Sequence, residues 1–114
     1  MRNIVLSCQK QILTEKALIC ETFLERGRGL LFRPALSVTS GDALLIPKCN
    51  SIHTFWMQYT IDVIFLDIHQ CVLSIHVYVP RRRVVSAGKA QFALEVAAGN
   101  LWAGQLRIGD PLKW

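Results

Sequence analysis

The sequence predicts a single, mainly β domain of 114 residues with one or two short helices. Three observations carry that expectation. Hydrophobic residues make up 52% of the chain and charged residues 18%, a balance that favours a packed core over disorder. The apolar residues fall in short runs rich in β-branched and aromatic side chains rather than at helical spacing. No linker, low-complexity tract or repeat divides those runs, and the length suits one core.

Taken in order, Ile4-Val5-Leu6 and Ala17-Leu18-Ile19-Cys20 read as strands. Thr22-Phe23-Leu24-Glu25 fits a capping box and predicts a short helix, which Gly27, Gly29 and Pro34 keep from extending. Gly41-Asp42 reads as a turn into a buried strand, Ala43-Leu44-Leu45-Ile46, stopped by Pro47. Ile61 to Ile68 and Cys71 to Val79 form a predicted hairpin about His69-Gln70, although the turn lacks Asn-Gly or Asp-Gly. Within its second arm the odd positions Cys71, Leu73, Ile75, Val77 and Val79 are expected to face the core, leaving Val72, Ser74, His76 and Tyr78 outward. Phe92 to Val96 is a further strand, Leu101 to Leu106 a helical turn, and Leu112-Lys113-Trp114 a closing strand after the Gly109-Asp110-Pro111 turn. The central hairpin is expected to pack with the Ala43 to Ile46 and Phe92 to Val96 strands.

Thirteen Lys and Arg against eight Asp and Glu give a net charge of +5, which favours anionic partners mildly. Most of these cations are scattered, and only Arg81-Arg82-Arg83 forms a run. Cys8, Cys20, Cys49 and Cys71 are too widely spaced for a disulfide scaffold or a C-x-x-C site and read as reduced thiols. The N-terminal apolar run is too short for a signal-peptide core and no long apolar stretch follows, so a cytoplasmic location without a transmembrane segment is expected. No cofactor motif is present.

Four blocks resemble a known family: Arg26-x-x-Gly29-Leu30-Leu31-Phe32-Arg33; Phe55-Trp56-Met57-x-x-Thr60-Ile61-Asp62-Val63-Ile64-Phe65-Leu66-Asp67; Leu94-Glu95-Val96-Ala97-Ala98-Gly99; and Gly109-Asp110. Together they are similar to domain of unknown function family 192. The resemblance implies a compact barrel-like or jelly-roll-like sheet sandwich and no established reaction. Leu31, Gln58-Tyr59 and the absence of a glycine near His69 depart from the usual pattern. Pro47, Cys49, Ser51, Ile52, His53, Thr54 and Met57 place the chain nearest one branch of the family.

Cys49, His53 and Met57, four residues apart, form a soft donor set suited to copper(I) or zinc if they share a helical face. On a strand His53 and Met57 would stand roughly 13 Å apart, and because Thr54-Phe55-Trp56 favours a strand, ordinary packing is preferred. Asp62 interrupts an apolar stretch and must be hydrogen-bonded, paired with Arg28 or Arg33, or open to a cleft. Its spacing from Asp67 sets the two carboxylates on opposite faces, against a paired-acid hydrolase. No serine or cysteine stands in a nucleophile context, and of the histidines only His53 is a functional candidate: His69 belongs to a turn and His76 to a solvent face. Trp56, Tyr59 and Trp102 could line a cleft or fill a core. Arg81, Arg82 and Arg83 could meet an anion, but without interleaved aromatics they make nucleic acid an unfavoured partner.

The sequence thus predicts a non-catalytic ligand-binding or accessory module with a cleft edged by His53, Trp56, Asp62 and Arg33, its partner a small polar ligand or a protein. The alternatives are a hydrolase-like enzyme using Asp62 or His53 as acid or base, an assembly protein, and a soft-metal site at Cys49, His53 and Met57.

Overall fold

The apolar run Ile61 to Leu66 is buried at every position, as a strand must be when layers cover both of its faces. The computed structural model describes residues 1–22, 42–55 and 59–114. Its strands are β1 (Arg2–Cys8), β2 (Gln11–Ile19), β3 (Ala43–Pro47), β4 (Ser51–His53), β5 (Ile61–Leu66), β6 (Val72–Val79), β7 (Val84–Ser86), β8 (Phe92–Ala97) and β9 (Leu112–Lys113). They form a seven-stranded sheet in the order β6-β5-β8-β3-β2-β1-β9 and a separate β4-β7 ribbon. The β2-β3 pair is parallel, and the other pairs are antiparallel.

The expected hairpin is therefore present, and it pairs through β8 with β3. The larger sheet does not close into a barrel. An isolated bridge between Cys71 and Pro111 ties the start of β6 to the residues before β9, flanked by bonds from Val72 N to Asp110 O (2.8 Å) and from Leu112 N to Gln70 O (2.9 Å). The sheet's two ends touch there and nowhere else among the described pairings. The one helical element among the described residues is the 3-10 turn Ala103–Gln105, inside the span expected for a helical turn. The helix predicted at Thr22 to Glu25 falls on residues outside those described, apart from Thr22 itself. No helix of the described residues is long and apolar enough to cross a membrane.

Two apolar clusters lie on opposite faces of the sheet. Ile4, Leu6, Ile64, Leu66, Leu94, Val96 and Leu112 belong to the first, over which Ala103 and Leu106 of the 3-10 segment pack. Leu44, Ile46, Ile61, Val63, Phe65 and Ala93 belong to the second, together with Ile52 of β4 and, at its margin, Val85 of β7. The ribbon thus covers the outer face of β3, β5 and β8. Successive residues of β5 and β8 alternate between the two cores, which explains why the run carries no polar alternation.

The expected odd-numbered core face of β6 is corrected by two register shifts. Phe65 pairs with Ser74 but Leu66 with Val72, and Val63 pairs with His76 but Ile61 with Val79. Each shift inserts an unmatched residue into β6 and exchanges the faces beyond it. Val72 and Ile75 consequently join the first core, and Leu73 and Val79 the second. Val77, expected inward, is 59% exposed. His76, expected outward, is half-buried, with its ring edge-on to Phe65 at 5.6 Å and Nε2 3.3 Å from the Ser74 hydroxyl.

Two turns use left-handed residues that are not glycine. Gln9 (φ +50) and Lys10 (φ +68) join β1 to β2, the two-residue geometry that asks for positive φ at both positions. Between β5 and β6 the connection runs from Asp67 to Cys71, three residues longer than the expected His69-Gln70, with Gln70 at φ +66. Asp67 secures it: its Oδ1 accepts from His69 N at 2.9 Å and from Cys71 N at 3.0 Å.

Candidate functional site

Asp62 sits on β5 opposite the second register shift, where Val77 and Tyr78 together face a single residue. Its side chain is 4% exposed. Oδ1 accepts a hydrogen bond from Tyr78 N at 2.7 Å, and Oδ2 accepts from Gly99 N at 3.3 Å. One carboxylate therefore holds both neighbours of β5 at the same end of the sheet: the bulge of β6 and the turn that follows β8. Both of those residues have positive φ, +51 for Tyr78 and +83 for Gly99. Glycine adopts such a backbone freely, whereas tyrosine does so at a cost that the charge-assisted bond offsets.

The bulge turns neighbouring apolar side chains outward. Val77 is 59% and Tyr78 64% exposed, and Val84, across the connection on β7, is 59% exposed. An open groove of about 370 Å³ lies between them, lined by residues 76 to 80 of β6 and its end and by Arg83, Val84 and Val85. No carboxylate lines it among the described residues. Arg81 and Arg82 are exposed in the connection beside it.

Thr54 fixes that connection. It is 1% exposed, its hydroxyl donates to Pro80 O at 2.6 Å and accepts from Arg83 N at 2.9 Å, and its own N–H donates to Arg83 O at 2.8 Å. A three-arginine loop is thereby held by a buried threonine from the β4 segment, so the guanidinium groups leave from an anchored backbone. Neither Thr54 nor the outward pair Val77-Tyr78 is a candidate by sequence. The signals in the sequence are the outward position expected for Tyr78, Pro80 ending the strand, and the arginine run after it.

Of the residues singled out in the sequence, those that are described lie on different elements. His53 is exposed on β4, paired across the ribbon with Val84, and its ring lies 5.9 Å from that of Phe55. Asp62 lies behind Tyr78. Trp56, Met57 and Arg33 lie outside the described residues. Cys49 packs at the margin of the second core and its Sγ donates to Ser51 O at 3.3 Å. Burial pushes its thiol above the ordinary range, opposed by the hydrogen bond to Ser51 and aided by the Glu95 carboxylate. Among the described residues no group of three or more His, Cys, Asp or Glu could hold a metal. Tyr59 borders the second core and Trp102 the first, so these two aromatics do not share a lining.

A small, mainly β chain built on one mixed sheet with a covering ribbon is the class this arrangement defines. The family model DUF192, described as Uncharacterized ACR, matches residues 5–114, and the chain belongs to that family. It is 33% identical over 108 residues to a UPF0127 protein of Thermococcus sibiricus, covering 91% of this chain and 69% of that one. Over 97 residues it is 31% identical to a UPF0127 protein of Pyrococcus horikoshii, covering 84% of each. A crystal structure of a protein of unknown function from Novosphingobium aromaticivorans superposes with a TM-score of 0.78 over 96% of this chain and 82% of that one. At 18% identity this last likeness shows the fold alone.

Proposed function

We propose that the protein is a non-catalytic binding module and that the groove between β6 and β7 receives an anionic ligand with an apolar body. The observation that carries this reading is the pairing of apolar walls, Val77, Tyr78 and Val84, with Arg83, whose Nη1 donates to Arg82 O at 3.4 Å, in a groove lined by no carboxylate among the described residues. Its volume of about 370 Å³ falls at the small end of the ligand-site range. Apolar walls supply affinity by burial, and a guanidinium supplies orientation through two parallel donors. His53, paired with Val84 in the ribbon, and Asp62, bonded to Tyr78 N, each adjoin a residue of the groove without lining it. An acid-base role for Asp62 has less support, because both of its oxygens already accept backbone hydrogen bonds.

The test is calorimetric titration with a series of aryl phosphates and carboxylates against wild type and Arg83→Glu. Binding to the wild type, weakened by roughly tenfold or more in the variant, is the expected result. Absence of binding across the series, or equal affinity in Arg83→Glu, would remove the groove from consideration.

A further inference from the structure

Resting on that reading, we infer that the groove's occupant is an extended acidic segment of another protein, which adds to the outer side of β6 as a further strand. β6 ends the seven-stranded sheet, and no strand among the described residues pairs beyond it. Its sequence, Val72 to Val79, contains no Lys, Arg, Asp, Glu or Pro. Charge and proline are two devices by which strand edges resist pairing, and bulges are a third; β6 has a bulge at either end, but the stretch between them, from Ser74, carries neither charge nor proline. On one side of that stretch the bridge to Pro111 holds the backbone. On the other side the Tyr78 bulge interrupts the pleat, and pairing with β5 resumes at Val79. The open length is short, which suits a peptide of a few residues rather than a whole sheet.

Charge selects the partner. The edge runs directly into Arg81, Arg82 and Arg83, whose loop is clamped by Thr54, and no acidic side chain lines the groove among the described residues. A segment alternating apolar and acidic residues would set its backbone against β6, its apolar side chains against Val77, Tyr78 and Val84, and its carboxylates toward the arginines. In strand addition the main chain supplies affinity and alternate side chains supply specificity.

The probe is a blocked, fluorescently labelled peptide alternating valine with glutamate, titrated by polarisation against the full chain. It is compared with the same peptide N-methylated at alternate amides in either phase, with a valine-lysine analogue, with phenyl phosphate and with a single-stranded oligonucleotide. The inference expects the acidic peptide to bind, one methylated phase to lose roughly tenfold or more in affinity, the lysine analogue not to bind, and Arg83→Glu to weaken binding. Equal binding of both methylated peptides and the parent would overturn strand addition and leave the groove reading standing. Binding of phenyl phosphate but not of the peptide would do the same, and tighter binding of the oligonucleotide would replace the partner class. If no anion binds, both readings fall. Sedimentation of the protein alone completes the set: a dimer abolished by Val77→Pro would make a second copy the occupant and overturn the peptide assignment.

Discussion

Tyr78 holds a left-handed backbone conformation at φ +51, which costs a residue with a side chain about 1–2 kcal/mol. It is stable there because the peptide N–H that the bulge removes from the ladder meets the Asp62 carboxylate at 2.7 Å. Asp62→Ala would leave that N–H and the one of Gly99 without their acceptor. It is expected to lower unfolding free energy by about 3 kcal/mol in urea titration. Asp62→Asn keeps the size and one acceptor oxygen and is expected to lose about half as much. A change in Asp62→Ala below about 0.5 kcal/mol, the range of ordinary surface substitutions, would contradict the clamp. That Asp62 must be satisfied was legible from an acid within an apolar run. Its partners were not, because a two-against-one pairing exists only once β5 and β6 have been aligned.

The elements were legible where apolar density alone decides them. β3, β5 and β8 are runs buried at nearly every position, and any reading of β-branched clusters finds them. The first half of β2, Gln11 to Lys16, is polar and mostly exposed. It is a strand because the Gln9-Lys10 turn folds it back onto β1, and neither turn residue advertises positive φ. The β5-β6 loop shows the same silence at Gln70, φ +66. Gln70→Gly relieves the left-handed cost and gives back part of it as unfolded-state entropy, so stability is expected to rise by about 0.5–1 kcal/mol. Gln70→Val, with a branched side chain at the same φ, is expected to fall below wild type. Thermal melts of the two variants check the order, and Val melting above Gly would refute it. The face reversal in β6 has the same origin: periodicity assumes an unbroken pleat, and two bulges break it.

At the scale of the molecule, one residue near the C-terminal end joins the most distant parts of the chain. Leu112 is 2% exposed within the first core, pairs with Cys8 and donates its N–H to Gln70 O. Beside it the Trp114 ring stands edge-on to Phe92 at 5.0 Å. Leu112→Ala is expected to cost about 2–5 kcal/mol, read from urea titration, and to loosen both ends of the sheet together. Hydrogen exchange should show faster amides in β1 and at the start of β6, and a loss confined to β9 would mean that the bridge carries no coupling. The arrangement of the hairpin beside β8 and β3 could be anticipated from sequence. The two-sided core could not, because a continuous apolar run reads alike whether one layer covers it or two. Pairing Ser7 with Lys113 also orders events in time. The nascent chain cannot complete its larger sheet until residue 113 has cleared the ribosome, so β2 can take up β3 early while the other side of β1 waits for the last strand to be synthesised.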